Sequence, residues 1–449
     1  MNTSNSTLST DLISTEVSTI LPASNNPLVD STYTLTARSS SSPIPQAASP
    51  NSLASGMSEL PDFDGDGNAD VFWRNLQTGD NALWLMNGDL GLLEYGALIQ
   101  NLSAQELWEH DFGDFNGDGK TDIFLRNNTT GQNVVWLIDG NISNLQNGTS
   151  IIGGAFLQSL GDGIENTFNW RHDLGDFNGD GKEDIFWRNE DTGENKIWIM
   201  NGTSIVEDKT IQQLGTSTAS AQDWSYKLGD FNGDGKSDVF LRDYGSGKNY
   251  VWLMNGTSII DGKELTQLGG TSDTGSPDNW DFSLADFNGD GKSDVFLRDY
   301  GSGKNYVWLM NGTSISDGKE LSQLGGISDT DNPNDWNFGI GDFNGDGKSD
   351  IFWRDYSTGK NYTWLMNGTI LVDGKELSQL GNTSDTGNPN DWDFAIADFN
   401  GDGISDMFWR NDSDSKNAVW KMNGGTIIGG EFLSELDNNW YQSALDRNN

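Results

Sequence analysis

The sequence predicts an all-β protein, a seven-bladed β-propeller with four-stranded blades, and three observations lead there. One Asp-rich motif, D-F-[DN]-G-D-G-x-x-D, begins seven times, at Asp62, Asp114, Asp176, Asp230, Asp286, Asp342 and Asp398. The intervals are 52, 62, 54, 56, 56 and 56 residues, the period of a repeat architecture. Each interval holds four short apolar runs parted by Gly- and Asn-containing turns, which is the content of one propeller blade.

Each element follows in order. The segment before a loop, such as DWDFAIA ending at Ala397, reads as the first strand. The run after the loop, Asp238 to Arg242, reads as the second. The turn Tyr244 to Lys248 leads into a third, Asn249 to Met254, closed by Asn255 and Gly256, a strong turn signal. A weaker fourth run spans Lys263 to Gly269. Val, Phe, Trp, Tyr and Leu dominate these runs of four to seven residues, which favours strands over helices.

The two ends of the repeat region are complementary. Asn438 to Asp446 resembles the first-strand segment Asn390 to Asp398, yet no full loop follows it. The first loop has only the short segment MSELP upstream. The C-terminal segment is expected to complete the N-terminal blade and so remove an open edge. An open linear array is the competing architecture, but nothing resembles its capping repeats. Residues 1–58, rich in Ser, Thr, Asn and Pro without a period, read as a disordered tail or linker; residues 59–449 form the propeller.

Composition narrows the function. The chain has 449 residues, a formal charge of −41 and 18 Trp. That aromatic content supports a core and argues against a disordered acidic chain. The motif positions hold 22 of the 67 acidic residues. Seven divalent cations would carry the charge only from −41 to −27, which still repels nucleic acid and anionic membranes. There are no Cys and two His, which excludes disulfides, thiolate metal sites and cysteine nucleophiles. No run of 18 apolar residues spans a membrane, and the N-terminus shows no clear signal peptide.

The loops carry the chemistry. Positions 1, 3, 5, 7 and 9 are Asp62, Asp64, Asp66, Asn68 and Asp70 in the first copy. They are Asp114, Asn116, Asp118, Lys120 and Asp122 in the second, and Asp176, Asn178, Asp180, Lys182 and Asp184 in the third. The fourth has Asp230, Asn232, Asp234, Lys236 and Asp238, and the fifth Asp286, Asn288, Asp290, Lys292 and Asp294. The sixth has Asp342, Asn344, Asp346, Lys348 and Asp350, and the last Asp398, Asn400, Asp402, Ile404 and Asp406. Positions 1, 3, 5 and 9 offer side-chain oxygens, and position 7 a backbone carbonyl. Hard oxygens in this number suit calcium, about seven ions in all, better than magnesium. An EF-hand would place Glu at position 12 before a helix, but Leu241 stands there inside an apolar run. Asp, Asn and Gly also favour plain turns. Seven copies with acids at positions 1, 5 and 9 are hard to explain without a cation, because empty they repel one another. At a Kd of ~10⁻⁴ M and ~1 mM calcium, each site stabilises the fold by about 1.4 kcal/mol, on the order of 10 kcal/mol over seven.

These loops resemble the FG-GAP or VCBS repeat family over about Pro61 to Asp446. The resemblance implies a seven-bladed propeller with calcium held at motif positions 1, 3, 5, 7 and 9. The family spans adhesion, lectin, lyase and scaffold roles. In place of Phe-Gly and Gly-Ala-Pro signatures, each repeat carries F-[WL]-R-[ND] and W-[LIK]-[MI]-[ND]-G. This points away from an integrin-like partner and toward the bacterial, lectin-like branch.

One Trp recurs in every third strand: Trp84, Trp136, Trp198, Trp252, Trp308, Trp364 and Trp420. One Arg recurs after every loop: Arg74, Arg126, Arg188, Arg242, Arg298, Arg354 and Arg410. Residues present in every blade read as architecture, with the Arg pairing an acid of the adjacent blade. Positions that vary between blades are the candidate glycan contacts: Trp73, Trp187, Trp353, Trp409, Tyr244, Tyr300 and Tyr356. His110 and His172 read as ordinary strand residues, and no G-x-S-x-G or HExxH occurs. The expected function is an exported or cell-surface, monomeric, non-enzymatic module that binds polysaccharide or glycoprotein. The alternatives are a surface scaffold or protein-binding adhesin, and a calcium-dependent polysaccharide lyase.

Overall fold

In the computed structural model, every repeat forms one four-stranded antiparallel sheet, seven sheets in all. The structure describes residues 60–442, apart from 87, 89–92, 104–107, 149, 161–168, 212–220, 266–278, 322–334, 378–390, 434–435 and 437–438. The chain divides into two units, 1–48 and 49–449. The tail assigned to residues 1–58 lies outside the described residues.

The blade at Asp230 is representative. Trp224–Gly229 pairs with Asp238–Asp243, which pairs with Lys248–Asn255, which pairs with Ser258–Glu264. The fourth strand begins earlier than expected, at Ser258, and residues 266–269 of the expected Lys263 to Gly269 run lie outside the described residues. The reason is the Asn255-Gly256 turn. Gly256 adopts φ 58°, and Asn255 pairs at once with Ser258, so the chain reverses without a linker. In the second blade a short helix, Ile142–Asn147, takes the place of that turn. The Asn141 side chain caps it by accepting the Ser143 N–H at 2.9 Å.

The ring closes as the chain ends foretold. Trp440–Gln442 pairs with Val71–Asn75, with Trp440 opposite Asn75. The same register holds Trp392 opposite Asn411 in the preceding blade. The C-terminal segment is therefore the innermost strand of the first blade.

The core lies between blades. Seven apolar clusters form, each drawn from two adjacent sheets. One joins Phe287, Phe296 and Val307 to Trp336, Phe338, Ile351 and Trp353 of the next blade. Strand alternation makes this possible: the inner strands present side chains to both neighbouring blades, so both faces are apolar. The fourth strands are outermost and leave Phe156, Val206, Val372 and Phe432 exposed. Among the described residues no helix is long and apolar enough to cross a membrane.

Candidate metal centres

Each loop folds from its own sequence. At Asp230, the buried Phe231 packs on Phe240 of the same blade with ring centroids 6.1 Å apart, which pins the start of the loop. Gly233 and Gly235 adopt φ of 75° and 78°, where a side chain is strained. That backbone turns successive N–H groups toward the first carboxylate. Asp230 Oδ1 accepts from Asn232, Gly233 and Asp234 at 3.1, 2.7 and 3.3 Å, and Oδ2 accepts from Gly235 at 2.7 Å. Asp234 accepts the Lys236 N–H at 3.1 Å.

Position 9, expected as the closing ligand, also holds the loop in place. Asp238 is wholly buried; its Oδ2 accepts the Phe231 N–H at 3.0 Å and its Oδ1 the Met254 N–H at 2.7 Å. It ties the loop to the third strand. Burial pushes its carboxyl up to about 7; Asp230 and Asp234 push the same way, while the two backbone donors oppose them. Asp122, Asp184, Asp294 and Asp350 repeat this arrangement.

The donor set fits an oxygen-liganded divalent cation. In the first copy, oxygens of Asp62, Asp64 and Asp70 all lie within 4.8 Å of one another. In the fourth copy the Asn232 amide donates to Asp238 at 3.4 Å through its nitrogen. In the sixth, the Asn344 carbonyl oxygen is buried and meets no donor. A buried acceptor beside mutually repelling carboxylates is what a cation would satisfy. The position 7 side chains also reach beyond their own loop: Lys292 crosses to the preceding loop and lies against Gly233.

The loops are also joined to one another. The N–H groups of Thr121, Glu183, Ser237, Ser293, Ser349 and Ser405 each donate to the position 1 carbonyl of the preceding loop, at 2.6 to 2.9 Å. Ala69 donates to the Asp398 carbonyl at 2.8 Å and completes the circle. All seven sites thus lie at one end of the propeller.

The candidate glycan contacts are placed differently from expectation. Trp73, Trp187 and Trp409 are completely buried and Trp353 is 3% exposed. Each lies under a guanidinium of the preceding blade: Arg410 over Trp73, Arg126 over Trp187, Arg298 over Trp353 and Arg354 over Trp409, at 4.7 to 4.9 Å from the ring. Tyr244, Tyr300 and Tyr356 lie under Arg242, Arg298 and Arg354 of their own blades. The Tyr356 hydroxyl donates to Asp393 of the next blade at 3.0 Å. The four Trp and Tyr300 are buried and offer no open face to a sugar, whereas Tyr244 and Tyr356 are half-buried with one ring face against an Arg. The Arg also donates across its own blade, as Arg126 does to Asn133 at 2.9 Å and Arg354 to Asn361 at 2.9 Å. These Asn were missed in the sequence, although an Asn stands seven residues after the Arg in every blade.

The inner strands hold a further group of buried titratable residues. His110 and His172 pack on Phe72 and Phe124 of the preceding blade. Burial, with Arg74 nearby, lowers His110 to about 3; burial, with Arg126 and Arg171, does the same to His172. Asp111, Asp173, Lys227 and Asp281 follow on consecutive blades. Burial raises the three carboxyls and lowers the ammonium. At this register Asp111, Asp173 and Lys227 give way to Ser283, Gly339 and Ala395, while Asp281 lies two residues earlier, where Asp393 stands in the seventh blade.

Comparison with known proteins agrees with this architecture. No curated protein matches the chain. A lectin from Agrocybe aegerita that recognises non-reducing terminal N-acetylglucosamine is similar in structure, with a TM-score of 0.61 at 16% identity, covering 86% of this chain and 97% of that one. A protein from Desulfotomaculum acetoxidans gives a TM-score of 0.43 at 11% identity, covering 83% and 98%. The dihydro-heme d1 dehydrogenase NirN gives 0.42 at 12%, covering 85% and 67%. The FG-GAP-like repeat family matches residues 62–125, 176–241, 230–297, 286–353 and 342–409. Each match contains the loop just described with the strand pair that follows it, and the chain belongs to the FG-GAP-like repeat family.

Proposed function

We propose that this propeller is a calcium-stabilised extracellular binding module that recognises polysaccharide or glycoprotein. The observation that carries the calcium reading is the circle of seven interlocked loops, each built on acids at positions 1, 5 and 9. Calcium at the millimolar level of extracellular fluid matches the weak, oxygen-rich sites such loops make. The propeller fold shared with a lectin supports carbohydrate as the ligand class. The contact residues lie outside the buried Trp73-type positions.

The test is a glycan and polysaccharide binding screen on the full chain, in calcium and in EDTA, with a melting curve in each buffer. Calcium-dependent binding that a simple sugar displaces is expected. A melting curve unmoved by EDTA overturns the calcium reading. A folded protein that binds no glycan in either buffer overturns the lectin reading and leaves scaffold or adhesin roles. The inner-strand group of Asp111, Asp173, Lys227 and Asp281 supports a second reading, a polysaccharide lyase. Release of ultraviolet-absorbing unsaturated uronate from acidic polysaccharide would establish it.

A further inference from the structure

We propose that the seventh loop carries its own cation, the ammonium of Lys421, and that the ring therefore takes up six calcium ions and not seven. The inference rests on the calcium reading of the other loops.

The residue after the third-strand Trp is Leu85, Leu137, Ile199, Leu253, Leu309 and Leu365 in six blades, and Lys421 in the seventh. This position lies beside the blade's own loop. A Cβ on Gly368 would touch both Leu309 and the position 3 residue Asn288 of that blade. A lysine there has only a short way to go. Its Nζ donates to the Asn400 side-chain Oδ1 at 2.9 Å and lies 3.3 Å from Asp402 Oδ2. These are positions 3 and 5 of the loop, two of the side chains a bound cation would need.

The sixth loop provides the contrast. Its position 3 oxygen, on Asn344, is buried with no donor, while the matching oxygen of Asn400 is satisfied by the ammonium. Lys292 and Lys348 also approach position 5 of their loops, at 3.2 and 3.3 Å from Asp290 and Asp346. They come from position 7, lie against the preceding loop and meet the same Oδ2 oxygen of position 5 that Lys421 meets; what sets Lys421 apart is its added bond to the position 3 side chain. The seventh loop has Ile404 at position 7, so its positive charge has moved from the rim onto the ligands. A calcium ion bound at 2.3–2.6 Å from the same oxygens would sit against the ammonium and be repelled by it. The consequence is local. The seventh loop receives the Ala69 bond that joins the first and last blades. A loop filled by its own lysine keeps that junction ordered when calcium is scarce.

Native mass spectrometry of the full chain at saturating calcium counts the ions directly. Six are expected for the natural protein, and seven for both Lys421→Leu, the residue of the other blades, and Lys421→Gln. The natural protein needs no variant for its count, so a variant that fails to fold leaves the test intact. Seven ions on the natural protein overturn the inference while upholding calcium binding. Six on a folded Lys421→Leu also overturn it, because the lysine is then not what excludes the ion. No calcium on any form overturns the calcium reading and this inference with it.

Discussion

Replacing Trp409 by Leu separates packing from ligand binding at the positions the sequence nominated for sugar contact. Leu is a native solution here, since Leu125, Leu241 and Leu297 occupy the same place in three blades. Trp409 is completely buried, with its ring 4.7 Å from Trp420, 5.7 Å from Phe394 and 4.8 Å from the Arg354 guanidinium. Shrinking Trp to Leu removes about 60 Å³ of side chain, which costs about 1.5 kcal/mol as residual cavity. The lost ring contacts add about 1 kcal/mol, and the lost cation–π contact about 1 kcal/mol more. The sum is about 3–4 kcal/mol. An unfolding entropy of ~2.1 cal/mol/K per residue over about 380 residues turns that into a melting temperature lower by about 4–5 °C. The assay is thermal melting in calcium beside glycan binding by the folded variant. The expected result is lower stability with unchanged affinity. An unmoved melting curve with lost glycan binding would refute the packing argument and return Trp409 to the ligand surface.

Two further perturbations follow from the same architecture. Ending the chain at residue 439 removes Trp440–Gln442, exposes the edge of Val71–Asn75 and deprives Arg410 of the Trp440 carbonyl it reaches at 2.9 Å. Light scattering should then report concentration-dependent association; a monodisperse monomer with the natural melting curve contradicts the closure argument. The pair His110→Phe and His172→Phe imports the Phe found at 282, 338 and 394. Both His are held near 3, below their ordinary 6.5, so their stabilisation is complete above pH 6.5 and is lost as pH falls toward 3. Between pH 7.5 and 5 the natural protein should lose about 2–4 kcal/mol more than the double variant, read by urea titration. The raised carboxyls of Asp111 and Asp173 act in the opposite direction but are common to both proteins. Equal pH profiles would show that the two His are not buried neutral.

The loops were legible because their chemistry is local. Asp230, Asn232, Asp234 and Asp238 sit within nine residues, and Gly233 and Gly235 fix how the backbone folds around them. The fourth strand was misplaced because its start depends on how tightly Asn255-Gly256 reverses the chain, and its own residues are mostly exposed. The aromatic candidates misled for a different reason. Variation between repeats suggested a surface, but Trp and Leu alternate at a position that is buried in every blade.

By itself, the sequence determined the number of blades, the strand that closes them and the place of every Asp-rich loop, since each depends on residues near in the chain or on a repeat that can be counted. Tertiary structure decided what no period displays. It laid Arg354 over Trp409, linked Ala69 to Asp398 and brought Lys421 onto Asn400. Those contacts join residues of different strands or different blades, and only the closing of the ring brings such partners within reach.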